Sequence, residues 1–244
     1  MITVNKPLKL GILGGLGPMA SAYFLEMITE HTKASRDQDH IDILLSSRAT
    51  TPDRTDFILG RSDEDPLPVM VEDAKYLESC NVSAIVIPCN TAHYFIDEIR
   101  DSVSVPVPSI IDETVAHVKR TGAVRPGIMA TEGTLFTRSY QLACERAGIG
   151  CVEPDEPLLA DVMTLIYDYV KKGRPVSREL FYRTVDAFRE RDCDSIILGC
   201  TELSVINKSL GSDPALTDSL EVLAHKAIEL CDGTPVGFNS TFDR

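Results

Sequence analysis

Short apolar runs alternate along the chain with longer stretches in which apolar residues recur every three or four positions. The runs at 8–13, 41–45, 84–87, 127–130 and 195–198 predict strands. The periodic stretches at 20–32, 69–80, 91–102, 111–120, 137–147, 157–172, 177–191 and 218–231 predict helices. Several strand runs are apolar throughout rather than alternating, as in parallel strands covered on both faces. The expected class is therefore α/β, with mostly parallel sheets flanked by helices. The end of the chain, 233–244, is rich in Gly, Pro, Ser and Thr and reads as a loosely held tail.

The pattern also repeats. Ser83-Ala-Ile-Val-Ile-Pro-Cys-Asn-Thr91 aligns with Asp194-Ser-Ile-Ile-Leu-Gly-Cys-Thr-Glu202, each preceded by an amphipathic helix, and Cys89 and Cys200 stand 111 positions apart. Upstream, Leu10-Gly-Ile-Leu-Gly-Gly15 aligns with Pro126-Gly-Ile-Met-Ala-Thr131 at an offset of 116. Two near-equal offsets predict two similar lobes related by a pseudo-two-fold axis, with a ligand cleft between them. The first lobe is expected to hold 1–120 plus 218–244 and the second 121–217, the last helix packing back on the first lobe.

A length of 244 residues is enough for two lobes with cores of their own. The net charge of −13 argues against nucleic acid and anionic membranes as partners, but leaves a small acidic ligand open, since a few local cations can hold it. No apolar run is long enough to span a membrane, and residues 1–7 with the short run after them do not read as a leader. Seven cysteines, an odd number, predict free thiols in a reducing cytoplasm.

By default a lone cysteine is a small buried apolar residue. Cys80, Cys144, Cys151, Cys193 and Cys231 fit that default. Cys89 and Cys200 do not: each ends a predicted strand and precedes small polar residues and a helix start. Ligands in parallel α/β sheets bind at such ends, and a helix start eases ionisation of a thiol. Two equivalent thiols facing each other across a cleft could remove a proton from one face of a carbon and deliver one to the other.

Pro88-Cys-Asn-Thr-Ala-His93 and Gly199-Cys-Thr-Glu-Leu203 resemble the two cysteine motifs of the aspartate/glutamate racemase superfamily. Gly11-Ile-Leu-Gly-Gly-Leu-Gly-Pro-Met-Ala20 resembles its opening strand and loop, and Pro52-Asp-Arg-Thr55 its carboxylate-binding loop. The resemblance runs from about residue 8 to residue 231. It implies a two-lobed amino-acid racemase, usually a homodimer, that needs neither pyridoxal phosphate nor metal. Cys89 and Cys200 match its acid/base thiols. Asn90, Thr91 and Thr201 match residues that hold the α-carboxylate and amino group, and Thr131, in the matching loop of the second half, joins them. Arg54 matches a carboxylate-binding arginine, and Lys171 a lysine that closes on an acidic side chain. Arg48 and Lys172 are the neighbouring choices. Glutamate racemases usually carry Cys-Thr-His at the second motif; Glu202 here places the chain with aspartate and broad-specificity racemases. Glu202 itself reads as a substrate-binding residue, a helix-start charge, or a group that tunes Cys200.

Other readings compete. Gly15-x-Gly17-x-x-Ala20 mimics a dinucleotide fingerprint, although Pro18 interrupts it; the alternative is a tight loop that lets a ligand approach the backbone. Cys89 and His93, four apart, could share a metal, but two ligands are too few for zinc. Arg54 and Lys171 could be surface charges. At the level of function, an isomerase, decarboxylase or hydantoin racemase acting on a small diacid or hydantoin stands beside the amino-acid racemase. A non-catalytic binding protein and a Cys89–Cys200 redox couple complete the alternatives.

Overall fold

A computed structural model describes residues 8–211, 213, 215–239 and 241–242. The outer ends of the expected first lobe, including the segment 1–7 read above for a leader, lie outside the described residues. Two three-stranded parallel sheets form the frame. The first has the order β2-β1-β3, from β1 (Lys9–Gly14), β2 (Asp42–Ser47) and β3 (Ala84–Val86). The second has the order β4-β5-β6, from β4 (Pro126–Ala130), β5 (Ser195–Gly199) and β6 (Leu216–Asp218).

Backbone pairing extends the internal repeat beyond the two aligned motifs. Pro106 accepts a hydrogen bond from Ile85 of β3, on the side where β6 pairs with Ile196 of β5. Ile85 and Ile196 differ by 111 positions, and Pro106 and Leu216 by 110. Val152 likewise bridges Gly127 of β4 in parallel, as β2 flanks β1. Each lobe thus has the same four-position strand order, with one position reduced to a single residue, Pro106 with one backbone hydrogen bond and Val152 with two.

Successive residues of each strand feed opposite faces, which is why the apolar runs are continuous. In the first sheet Leu10, Ile12, Ala84 and Val86 enter one cluster, while Leu13, Ile85 and Ile87 enter another with Met70, Ala74 and Leu77 of α3 (Leu67–Ser79). In the second sheet Ile128, Ala130 and Ile197 face the first of these clusters, and Met129, Ile196 and Leu198 face a third with Phe181, Val185 and Phe188 of α9 (Arg178–Arg189). The shared cluster also takes Phe24, Met27 and Ile28 of α1 (Pro18–His31), Val115 and Val118 of α5 (Ile110–Thr121) and Leu220, Leu223 and Ile228 of α11 (Ser219–Leu230). The lobes are thereby joined by a common apolar layer. α11 packs on α1, β3 and α5.

Several expectations need correction. β6 was not predicted, since Leu-Thr-Asp carries no usable period. α2 (Arg54–Ile58) and α6 (Glu132–Phe136) are single short turns, also below the reach of periodicity. The stretch 91–102 is a 3-10 turn at Thr91–Phe95 followed by α4 (Ile96–Ser102), so no α-helix starts beside Cys89. The stretch 157–172 is α8 (Glu156–Met163) continuing into a π-helical segment, Thr164–Val170. α7 (Ser139–Ala147) starts two residues later than expected because Arg138 is left-handed, at φ 55°.

The tail is not loose where it is described. Val236 N–H donates to the His31 carbonyl at 2.8 Å, and Thr32 bridges Pro235. Phe238 stacks on His31 at 4.3 Å, and Phe242 on His225 at 5.1 Å.

Candidate active site

Both β3 and β5 run directly toward a cysteine, and the two chain segments beyond them meet. One cavity of about 280 Å³ is lined by Cys89, Asn90 and Thr91 from the first sheet and by Thr131, Cys200, Thr201 and Glu202 from the second. Leu16, Asp53, Arg54 and Thr55 wall it from the first lobe, and Tyr167 and Lys171 from the second. Every site residue expected from sequence therefore lies around a single cavity. Arg48 instead pairs with Glu72 and Asp73 outside it, and Lys172 pairs with the exposed Asp168.

Both thiols are 6% exposed. Cys200 is the N-cap of α10 (Thr201–Leu210), and its Sγ–H donates to Glu202 Oε2 at 2.9 Å. Burial, then the Glu202 charge and hydrogen bond, push the Cys200 thiol well above its ordinary pKa. The expectation that a helix start would ease ionisation is thus reversed at Cys200: a neighbouring carboxylate and desolvation outweigh the helix end.

Cys89 has a different setting. Its carbonyl meets His93 Nδ1 at 2.8 Å, and the Ile110 N–H donates to His93 Nε2 at 3.0 Å. His93 is therefore neutral, with its proton on Nδ1, donating to the Cys89 backbone. Both ring nitrogens are engaged, which removes the reading of Cys89 and His93 as a metal pair. Burial lowers the His93 pKa to about 4.

Arg54, 7% exposed, lines the same cavity wall as Cys89. Its Nη1 donates to the Pro52 carbonyl at 3.0 Å and its Nη2 to the Leu16 carbonyl at 2.6 Å, while its buried Nε has no partner among the described residues. Burial opposes the guanidinium charge, but Cys89, Asp53 and Glu202 together raise its pKa. A buried orphan donor beside a cavity is a place for a ligand's acceptor oxygen.

Lys171 Nζ reaches Asp53 Oδ2 at 3.3 Å and lies 3.9 Å from the Tyr167 ring centre. Burial works against its ammonium, but Glu202, Tyr167 and Asp53 hold its pKa above the ordinary value. Asp53 also accepts from the Thr55 and Asp56 N–H groups, capping α2 and aiming the Arg54 turn. Asp53 and Tyr167 were missed in the sequence. The only signal for Asp53 was its place beside Arg54; Tyr167 gave none.

The polar residues beyond the cysteines tie the halves together. Thr91 Oγ1 lies 2.9 Å from both Thr131 Oγ1 and Thr134 Oγ1. Asn90 Nδ2 donates to Ser219 Oγ at 3.1 Å, Ser219 Oγ donates to the Leu198 carbonyl at 2.7 Å, and the Tyr140 hydroxyl donates to Asn90 Oδ1 at 2.6 Å. This chain links the residue after Cys89 to the strand that leads into Cys200.

The glycine loop serves the same cavity. A Cβ at Gly17 would strike Glu202 Oε1, and one at Gly15, whose φ is +84°, would strike the Arg48 backbone. Gly17 leaves space for a protein carboxylate, which replaces the dinucleotide reading of this loop. A second cavity, of about 640 Å³, adjoins on the outside and shares Asp53, Arg54, Lys171 and Glu202 with the inner one.

Comparison with known proteins identifies the family. Residues 13–227 match the family described as Asp/Glu/Hydantoin racemase. A broad specificity amino-acid racemase of Bacillus subtilis, RacX, is 27% identical over 224 residues, covering 90% of this chain and 96% of that protein. The structure of Picrophilus torridus aspartate racemase superposes with a TM-score of 0.81 at 30% identity, covering 94% of this chain and 96% of that one. Glutamate racemase from Francisella tularensis, solved in complex with D-glutamate, shares the fold at a TM-score of 0.63 and 20% identity, over 93% and 81% of the two chains. The chain belongs to the Asp/Glu/hydantoin racemase family and is an amino-acid racemase.

Proposed function

We propose that the protein interconverts the enantiomers of an acidic amino acid, aspartate or glutamate, by exchanging protons between Cys89 and Cys200 without an added cofactor. The observation that carries this reading is the meeting of two thiols, from equivalent strand ends of two sheets, in one cavity with Arg54 and Lys171. One sulfur, as thiolate, takes the α-proton; the C–H electron pair stays on the α-carbon. The other sulfur, as thiol, delivers its proton to the opposite face and keeps the S–H electrons. The roles then exchange for the reverse direction.

In this reading Arg54 offers its unpartnered Nε to a carboxylate, and Lys171 receives the side-chain carboxylate once it leaves Asp53. Asn90, Thr91, Thr131 and Thr201 orient the amino and α-carboxylate groups, and Glu202 lies at the same wall. The broad specificity of RacX and the aspartate activity named for the Picrophilus enzyme support substrates of this class. The division into lobes at 1–120 plus 218–244 and 121–217, a homodimer and a cytoplasmic location belong to the same proposal. All seven cysteines are free thiols, which suits a reducing compartment.

Chiral chromatography after incubation with L-aspartate or L-glutamate in deuterium oxide tests it. The expected product is the enantiomer carrying α-deuterium, lost in Cys89→Ala and in Cys200→Ala separately. Full activity in either variant removes the two-thiol mechanism. Turnover only of a hydantoin or of maleate moves the assignment to another reaction on the same cavity.

A further inference from the structure

We propose that Glu202 is a positioning residue that holds the resting proton on Cys200, so that the two thiols enter the reaction already unlike. The inference rests on the two-thiol reading and adds to it the starting state of the pair.

Three observations carry it. The Cys200 Sγ–H points at Glu202 Oε2, 2.9 Å away, within a site where both residues are buried. Cys89 instead has no carboxylate at hydrogen-bond distance of its sulfur among the described residues, and it shares the cavity wall with the Arg54 guanidinium. One thiol faces an anion at hydrogen-bond distance and the other does not, inside a cavity where water screens little, so a resting proton is best held on Cys200. The third observation is the space kept for Glu202. Its Oε1 lies so close to Gly17 that a Cβ there would clash with it, and Thr201 Oγ1 lies 3.5 Å from Oε2. The raised Cys200 pKa, from burial and then Glu202, agrees with this geometry.

The consequence for turnover is a reset. When Cys200 gives its proton to the α-carbon, its electrons remain on sulfur and a thiolate stands beside the Glu202 carboxylate. Like charges at hydrogen-bond distance favour prompt return of a proton to Cys200, from the product in the reverse step or from solvent after release. Lys171, which faces the same group, compensates part of that charge while it lasts.

The test is the rate at which iodoacetamide labels each cysteine at pH 8, read by peptide mass spectrometry on the intact enzyme without substrate. Labelling follows the thiolate fraction, and one unit of pKa is about a tenfold change in rate. Glu202→Gln, which keeps the size and removes the charge, is expected to speed labelling of Cys200 by about tenfold or more. Cys89, in the same cavity, reports access and is expected to change by less than about threefold. Gly17→Ala, which displaces the carboxylate without altering Glu202, is expected to move Cys200 the same way, and Glu202→Asp to lie between it and the unaltered enzyme. In active variants the alkaline limb of the kcat/KM profile shifts to lower pH with the labelling. Equal acceleration at both cysteines, or none at Cys200 in both Glu202→Gln and Gly17→Ala, overturns the proposal. Labelling needs no turnover, so it succeeds or fails separately from α-deuterium exchange, which tests the racemase reading itself.

Discussion

Lys171 Nζ and Asp53 Oδ2, 118 positions apart in sequence, meet at 3.3 Å where the inner cavity joins the outer one. The lysine follows the π-helical segment of the second lobe, and the aspartate caps α2 in the first. Both residues line both cavities, and the contact occupies the cation that the proposed substrate would use. Burial raises and Lys171 lowers the Asp53 pKa, and the net effect is downward, so the pair stays charged at neutral pH.

Asp53→Asn keeps an N-cap but removes the charge. A half-exposed ion pair contributes about 0.2–1 kcal/mol, so the open form gains up to about fivefold. Iodoacetamide labelling is expected to rise at Cys89 and Cys200 together by that factor, unlike the selective effect of Glu202→Gln. Unchanged labelling at both would show that this ion pair does not close the site.

Tyr140 is buried, and its hydroxyl is the donor to Asn90 Oδ1. Burial keeps it protonated by raising its pKa. Its ring passes so close to Gly199 that a Cβ there would lie 2.9 Å from it. Tyr140→Phe keeps the packing and leaves a buried acceptor unpaired, at about 1–3 kcal/mol. Denaturant titration should show that loss. The Asn90 link to Ser219 and Leu198 sets the spacing of the two cysteine segments, so kcat is expected to fall more than KM rises. A rise in KM alone would place Asn90 in binding only.

Thr131 and Thr134 share one hydroxyl triangle with Thr91, yet only Thr131 lines the cavity. Thr134→Val removes a buried hydroxyl while Thr91 and Thr131 keep each other. A loss of about 1 kcal/mol is expected, lowering Tm by about 2–4 °C for a chain of this size, with kcat/KM nearly unchanged. Thr131→Val also removes the side-chain cap of α6, where Thr131 Oγ1 accepts from the Thr134 N–H, so it is expected to lower Tm further and kcat/KM by more than tenfold. Thermal melts and initial rates on the two variants separate the roles; equal kinetic effects would contradict the assignment.

The sequence made legible what is local and repeated. A strand, a Pro or Gly, a cysteine and small polar residues lie within nine positions, and the repeat marks them twice. Glu202 was visible as a departure in that motif, although which of its roles applied required the 2.9 Å contact with Cys200. The remainder depends on contacts between distant segments. Nothing in the pattern pairs Asp53 with Lys171, Tyr140 with Asn90, or Gly17 with Glu202. Helix-start reasoning found the start of α10 after Cys200 but not the state of its thiol, which burial and an anion govern, and at Cys89 a 3-10 turn stands where an α-helix was expected.

His93 supplies a pH dependence. It is buried, it donates from Nδ1 to the Cys89 carbonyl, and it accepts at Nε2 from Ile110, so protonation at Nε2 breaks that acceptor contact. Its pKa falls from 6.5 to about 4, chiefly through burial. Between those values the unfolded chain binds more protons at this residue than the folded one. Stability contributed here is therefore complete above pH 6.5 and is lost as pH falls toward 4, by about 3 kcal/mol. Other groups titrate in the opposite sense, among them Asp218, raised to about 6 by burial, so the test is a difference. The stability gap between the unaltered protein and His93→Gln, measured by denaturant titration at several pH values, should narrow by that amount from pH 6.5 to 4. A gap independent of pH would show that His93 binds a proton as readily in the folded protein as in the unfolded chain, against its burial and the Ile110 contact.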